Sequence, residues 1–207
     1  MMKINQIKSK FLGGSFDQNS YVVSNEKSAI LIDAGCELDD LLKIVGEKQV
    51  LAILITHLHF DHIWNLEEIL SYFKCDAYIV SEYDDFLTNP LKNVSSSFGI
   101  NKVFNVESLL IKYYSENMNI GDFKIQIYNT PGHSKDSVCI KIDDNLFTGD
   151  TIFSGAVGRT DLFCGDENEL IKSLKKIKDI DFKNVFPGHG RALTKQDILQ
   201  TIYYEIN

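Results

Sequence analysis

The stretch Gln49-Val50-Leu51-Ala52-Ile53-Leu54-Ile55-Thr56 leads directly into His57-Leu58-His59-Phe60-Asp61-His62, and this junction decides the fold. The first part is short, rich in β-branched residues and continuously apolar, which is typical of a strand covered on both faces. The second part places imidazole and carboxylate groups where that strand ends. Such a loop is held by a rigid scaffold while its side chains face solvent. The junction therefore predicts an α/β protein with a functional site at a strand end.

The residues after this cluster indicate a helix. Apolar side chains recur at helical spacing at Ile63, Leu66, Ile69, Leu70 and Phe73. Aspartate is a favoured residue at helix N-caps. We therefore predict that His57 and His59 lie in the loop, whereas Asp61 and His62 open the helix.

Three further predicted strands end in the same way. They cover residues 122–129, 145–147 and 184–186 and lead to His133, Asp150 and His189, respectively. With the first cluster, this accounts for all five histidines of the chain. Because every such strand ends in a side chain typical of metal sites, we expect the strand ends to converge on one edge and to hold metal.

The order of the remaining elements indicates the fold class. Residues 137–142 have the pattern of another strand, and helices fit residues 37–45, 166–178 and 195–203. A β-rich start, a buried strand between helices and a β-rich second half predict two mixed sheets covered by helices. We expect a single domain over residues 1–207. Residues 87–110 are poorly patterned and predict a loop or a short helical insertion.

Composition limits the classes of function. A net charge of -8 over 207 residues works against binding to nucleic acid or to an anionic membrane. No apolar run has the length of a signal peptide core or a membrane span, so we expect a cytoplasmic protein. The four cysteines contain no C-x-x-C pair, and we predict reduced thiols. A small-molecule substrate fits best, and no obligate protein partner is evident.

The four segments together resemble a known family. The H-x-H-x-D-H cluster, a histidine after Pro-Gly, an aspartate after Thr-Gly and a last histidine after Pro-Gly are similar to the metallo-β-lactamase superfamily over residues 18–191. Within it, residues 31–35, 148–151 and 158–161 look like the glyoxalase II-like hydrolases. Only 18 residues follow His189, so the resemblance is to the short, single-domain form of these hydroxyacylglutathione hydrolases. It implies a four-layer αββα sandwich with two mixed sheets flanked by helices.

The resemblance also implies which residues hold metal. It assigns one ion to His57, His59 and His133, a second to Asp61, His62 and His189, and the bridge between them to Asp150. Imidazole and carboxylate donors without thiolate suit zinc, with iron or manganese as alternatives. We therefore expect two divalent ions and predict that both are zinc, with iron or manganese as the alternatives.

The activity implied is hydrolysis of a thioester. Two ions about 3.5–4 Å apart lower the pKa of a shared water to about 7 and supply hydroxide as the nucleophile. Asp61 is the predicted catalytic residue, because its carboxylate can orient that nucleophile. A thiolate leaves with little or no proton donation, because its pKa is low.

Two other side chains near these segments, Arg159 and Trp64, each allow two interpretations of their role. Arg159 is predicted to bind a substrate carboxylate bidentately. Its alternative is an ion pair with Asp161 or Asp166 that fixes its own loop. Trp64, the only tryptophan, either packs in the core beneath the helix or forms a wall for the substrate.

A different enzyme class resembles the same scaffold. Persulfide dioxygenases share a Gly-Arg-Thr-Asp segment but use a single iron, which here would be held by His57, His133 and Asp150. Metal analysis separates this alternative from the hydrolase. Cleavage of nucleic acid is disfavoured, because this acidic chain has no extended basic arm.

Overall fold

The computed structural model describes residues 2–14, 17–105 and 110–206. The chain forms two compact units, Met1–Tyr114 (unit 1) and Ser115–Asn207 (unit 2). Each unit contains one six-stranded sheet with its own helices. The predicted α/β class with two mixed sheets flanked by helices is confirmed. That residues 1–207 form a single domain stays a prediction.

Unit 1 contains six strands in sequential order across the sheet. They are β1 Lys3–Lys8, β2 Asn19–Ser24, β3 Ser28–Ile32, β4 Gln49–Leu54, β5 Asp76–Ile79 and β6 Ile111–Tyr113. Strands β1 to β3 pair antiparallel and β3 to β6 pair parallel. The helices are α1 Leu38–Val45, α2 Leu66–Phe73 and the short α3 Asp85–Thr88, with 3₁₀ turns at Phe11–Gly14 and Ser95–Phe98.

The strand predicted from the apolar run is β4. It lies between β3 and β5 in the parallel part of the sheet, and Ala52, Ile53 and Leu54 are fully buried. A central parallel strand is covered on both faces, which is why its sequence does not alternate between apolar and polar residues. The site loop begins where this strand ends.

The predicted start of the next helix was wrong. Helix α2 begins at Leu66 with Asn65 as its N-cap residue, not at Asp61. The reason is backbone pairing with the turn after β3. The His62 carbonyl accepts the Ala34 N–H at 2.7 Å, and the Asn65 N–H donates to the Ala34 carbonyl at 2.9 Å. Since these groups are used by Ala34, residues 60–65 form consecutive turns and the helix starts after them.

The described residues between 87 and 110 contain only short helical pieces, as predicted. They include the end of α3 and the 3₁₀ turn Ser95–Phe98, while residues 106–109 of the predicted insertion lie outside the described residues. Trp64 is half-buried, with its ring centroid 3.7 Å from that of Phe11 and 6.3 Å from that of Phe60. Trp64 thus packs against aromatic rings without belonging to the buried core, and a wall for the substrate stays a prediction.

Unit 2 has the sheet order β12-β11-β10-β9-β8-β7. Its strands are β7 Asn117–Ile120, β8 Phe123–Asn129, β9 Val138–Ile142, β10 Asn145–Gly149, β11 Asn184–Pro187 and β12 Leu193–Thr194. Strands β10 and β11 are parallel and the other neighbours are antiparallel. Strands β8, β10 and β11 therefore run in the same direction and end at the same edge, which confirms the predicted convergence within unit 2.

Two amphipathic helices cover this sheet, α4 Glu167–Asp179 and α5 Lys195–Ile206. Helix α4 begins as predicted, with the Asp166 carboxylate accepting the Glu169 N–H at 3.0 Å. Its Leu174 and the Ile198 of α5 belong to one buried cluster. Burying each such side chain contributes about 1.5–3 kcal/mol. Among the described residues, no helix has the length and apolar character needed to cross a bilayer.

Candidate metal centre

The donors of unit 1 lie in the loop that follows β4. The ring centroid of His57 is 4.6 Å from that of His59 and 4.1 Å from that of His62. All three imidazoles are buried, and Asp61 in the same loop exposes only 9% of its surface. The structure thus brings together the three predicted imidazole donors of this unit.

A buried aspartate at the end of β3 orients this loop. The Asp33 Oδ1 atom accepts the Thr56 N–H at 2.7 Å, and its Oδ2 atom accepts the Thr56 hydroxyl at 2.8 Å. The same Oδ2 lies 2.7 Å from Nδ1 of His62. Because β3 and β4 are parallel neighbours, their ends lie side by side and Asp33 reaches the loop directly.

These contacts determine which ring nitrogen can bind metal. A carboxylate only accepts hydrogen bonds, so Nδ1 of His62 carries the proton and the lone pair of the neutral ring is on Nε2. The Thr56 hydroxyl uses its hydrogen for Asp33 and therefore accepts from Nδ1 of His57, 3.2 Å away. Asp33 thereby fixes two imidazoles with Nε2 as the donor atom, as outer partners do in metal sites.

A glycine beside this loop allows a close backbone approach. A Cβ at Gly35 would lie 2.2 Å from the Asp61 carbonyl oxygen and 2.3 Å from Oε1 of Gln18. Neither approach is compatible with a side chain. Gly35 is therefore needed for the loop to lie against the turn after β3.

The donors of unit 2 follow the three strands that share a direction. His133 follows β8, Asp150 follows β10 and His189 follows β11. Oδ2 of Asp150 lies 3.6 Å from Nε2 of His133 and 3.4 Å from Nε2 of His189. Two donor atoms on one tetrahedral zinc are about 3.3 Å apart, because each bond is about 2.0–2.1 Å long. These separations fit donors that share ions, with one carboxylate oxygen facing both histidines.

The backbone of the Gly158-Arg159 segment orients His133. Its Nδ1 donates to the Arg159 carbonyl oxygen at 2.8 Å, which leaves Nε2 as the donor atom for a metal. The segment lies so close that a Cβ at Gly158 would be 1.9 Å from the Asp150 carbonyl oxygen and 2.9 Å from Cβ of His133.

We expect Gly158→Ala to destabilise unit 2 and to lower its metal content. The new methyl group overlaps the Asp150 backbone, so the segment must shift and the bond that holds His133 is lost. Overpacking of this kind costs about 1–3 kcal/mol. Thermal unfolding of the metal-free protein and zinc analysis measure the two effects. Gly155→Asn is the control, because a side chain there meets open space and asparagine tolerates its positive φ. Equal behaviour of both variants would contradict the steric argument.

The Arg159 side chain pairs with its own loop. Its Nε and Nη2 atoms donate to the two carboxylate oxygens of Asp161 at 2.6 and 2.7 Å. This hydrogen bonding lowers the pKa of Asp161 to about 2 and raises that of Arg159. The ion pair is one of the two readings made from the sequence. Binding of a substrate carboxylate by Arg159 stays a prediction.

Burial keeps the thiols of three cysteines in their protonated form. Cys36, Cys75 and Cys139 are buried free thiols. Burial raises the pKa of Cys36 to about 12 and those of Cys75 and Cys139 to about 11. These thiols stay protonated at neutral pH.

The five imidazoles and two carboxylates of the predicted donor set are compatible with a dinuclear metal site.

Sequence reasoning missed the residues that hold the donors. Asp33 had a usable signal, because it follows a buried apolar strand, as the predicted donors do. Thr56 had none beyond its position next to His57. The contribution of Arg159 through its carbonyl oxygen has no signal in the sequence, because every residue carries that group.

Comparison with known proteins extends over both units. Residues 13–189 match the metallo-β-lactamase superfamily. The probable metallo-hydrolase YqgX of Bacillus subtilis is 33% identical, over 89% of this chain and 92% of its own length. The crystal structure of BLEG-1 B3 metallo-β-lactamase matches with a TM-score of 0.89 and 29% identity, over 99% of this chain and all of that one.

A further solved structure bears on metal binding. TTHA1623, crystallised in a di-iron-bound form, matches with a TM-score of 0.79 and 28% identity, over 97% of this chain and 99% of that one. The family match spans all four donor segments of this chain. This chain belongs to the metallo-β-lactamase superfamily.

Proposed function

We propose that this protein is a metal-dependent hydrolase that cleaves thioesters, of the glyoxalase II-like type. One observation carries the proposal: Oδ2 of Asp150 faces Nε2 of both His133 and His189 at donor-to-donor distances that suit shared ions. The relative YqgX is described as a probable metallo-hydrolase, which supports the same class of reaction.

The predicted donor set would hold two divalent ions. His57, His59 and His133 would bind one ion and Asp61, His62 and His189 the other, with Asp150 shared between them. Zinc suits donors of this type, and the di-iron form of TTHA1623 supports iron as the alternative. When bound, such ions supply hydroxide at neutral pH and positive charge for a carbonyl oxygen.

The remaining steps fall to the chain's own groups. Asp61 accepts a hydrogen bond from the attacking water and keeps its lone pair directed at the acyl carbon. The water oxygen bonds to that carbon while Asp61 takes one of the water protons, the C–S bond breaks, and the sulfur leaves with the electron pair and takes up that proton. The products are a carboxylic acid and a thiol. With a thiol pKa of about 8.5, the leaving group needs no strong general acid.

A single-iron persulfide dioxygenase is the competing proposal. It would use His57, His133 and Asp150 and leave His62 without a metal. Against it stands the buried bond between Nδ1 of His62 and Asp33, which presents Nε2 of His62 as a donor in the same way as Nε2 of His57. An imidazole oriented in this way suits a second ion.

We expect the zinc-reloaded protein to bind two ions per chain and to hydrolyse thioesters. Elemental analysis gives the stoichiometry, and a panel of thioesters gives the activity. An oxygen-uptake assay with a persulfide runs beside them on the iron-loaded protein. One ion per chain, together with persulfide-dependent oxygen uptake and no thioesterase activity, would overturn the hydrolase in favour of the dioxygenase.

A further inference from the structure

A groove of about 430 Å³ lies on unit 2 between α5 and the loop after Asp150. One wall carries Ser154, the other carries Gln200 and Tyr204 of α5, and Arg191 lines it as well. Its volume lies within the range of roughly 300–1,000 Å³ that small-molecule sites occupy. Most of the residues that line it carry polar groups, so the groove suits a ligand part with both polar and apolar atoms.

Two of the residues that line the groove closely follow predicted metal donors of unit 2. Ser154 follows Asp150 by four residues, and Arg191 follows His189 by two. Two residues of extended chain span about 7 Å. In addition, the ring centroid of Phe153 lies 6.0 Å from that of His189. A substrate whose reacting carbonyl lies at the unit 2 donors can therefore extend its distal part into the groove.

The two arginines of the chain differ in what they contact. The guanidinium of Arg159 is held by both carboxylate oxygens of Asp161. Within the described part of the chain, the exposed guanidinium of Arg191 makes no ion pair. The Oδ2 atom of the nearby Asp197 accepts the N–H and the hydroxyl of Thr194 at 2.8 and 2.9 Å, and the charge of Arg191 acts on this carboxylate without a hydrogen bond to it. Arg191 thus keeps its planar set of donors for a ligand.

We propose that Arg191 binds a carboxylate on the substrate and that the groove is the subsite for the carboxylate-bearing half. The inference rests on the proposed thioesterase function and assigns its substrate class: thioesters of a thiol that carries one carboxylate a few bonds from the sulfur. Glu205 and Asp197 also line the groove, so a second carboxylate there would be repelled.

The test compares two thioesters that differ only in the carboxylate, S-acetyl-N-acetylcysteine and S-acetyl-N-acetylcysteamine. For the zinc-loaded protein we expect a higher kcat/KM on the first. Arg191→Gln should reduce that preference about tenfold, the loss expected for one charge-assisted hydrogen bond. Lys183→Gln removes an equal charge from the Asp144 ion pair on the same unit and should keep the preference. Equal losses on both substrates in Arg191→Gln would overturn the proposal.

Arg159 is the competing ligand for the carboxylate. If Arg159→Gln abolishes the preference and Arg191→Gln retains it, the carboxylate binds at Arg159 and the groove is not the subsite. If Arg191→Gln alone abolishes the preference, the assignment to Arg191 holds.

A binding measurement separates this inference from the hydrolase proposal. The probe is S-methyl-N-acetylcysteine, a thioether with no bond to hydrolyse, titrated into ¹⁵N-labelled zinc-loaded protein. We expect shifts of the Arg191 Nε–H and of the amides of α5, and no such shifts with S-methyl-N-acetylcysteamine. If these chemical shifts change in a protein that has no thioesterase activity, the hydrolase proposal is wrong but the carboxylate subsite is supported. If the Arg191 Nε–H resonance does not shift at saturating concentrations of the probe, the subsite proposal is wrong.

Discussion

Asp150→Asn is expected to lower kcat/KM for the proposed thioester hydrolysis by at least about a thousandfold and to reduce the zinc bound by zinc-reloaded protein. Losing an outer partner of a metal ligand costs about 10–100-fold. The effect here should be larger, because one oxygen of Asp150 faces both His133 and His189 and the amide has no negative charge to offer two cations. Steady-state kinetics and elemental analysis of the same preparation measure both effects.

The matched control for this variant is Asp144→Asn. Asp144 is an exposed carboxylate on the same unit that pairs with Lys183. It should keep full activity and metal content. The metal-free forms of both variants should unfold near the wild-type temperature. If the Asp150→Asn protein binds two ions and has the wild-type kcat/KM, Asp150 does not bridge the two ions.

Asp33→Asn is expected to lower zinc affinity by about 10–100-fold without a direct contact to metal. The Thr56 N–H requires an acceptor, so the amide oxygen must remain there and the amide NH₂ must face His62. His62 then accepts through Nδ1 and carries its proton on Nε2, the atom that metal needs. Asparagine tolerates the backbone φ of +58° at this position. The fold should persist with a loss of about 1–3 kcal/mol.

Two measurements check this expectation. Competition with a chromophoric chelator gives the zinc affinity, and ¹⁵N NMR of the metal-free protein gives the tautomer of His62. The control is Asp76→Asn on the same unit, which removes a partly exposed carboxylate paired with Lys112. If the variant at Asp33 keeps both wild-type zinc affinity and a proton on Nδ1 of His62, the orienting role assigned to Asp33 is wrong.

The sequence was sufficient where one local pattern decides the structure. The apolar run before His57 became β4, and Asp166 became the N-cap residue of α4. The strands leading to His133 and His189 also formed, because alternating or β-branched segments bounded by Pro-Gly turns specify strands on their own. The sequence alone therefore predicts that the donor residues of unit 2 lie on one sheet edge.

The sequence was insufficient where a distant segment decides the structure. Helical spacing after the histidine cluster predicted a helix from Asp61, but Ala34 takes the backbone groups that this helix would need. The pairing of Asp33 with His62 spans 29 residues and depends on two parallel strands being neighbours. Likewise, Arg159 was singled out for its guanidinium, whereas its carbonyl oxygen orients His133.

The two backbone bonds of Ala34 make the donor loop a segment of fixed length. They hold the ends of the interval from His62 to Asn65, and β4 holds the start of the loop at Leu54. An inserted or deleted residue between these anchors would turn the imidazoles away from their orienting partners, since no slack remains to absorb it. The loop that holds Gly155 is also closed by backbone pairing, because the Phe153 N–H donates to the Ala156 carbonyl at 2.9 Å, but the space beside Gly155 is open. We therefore expect changes of chain length to be rejected beside the histidines, and a side chain that adopts a positive φ to be accepted at Gly155.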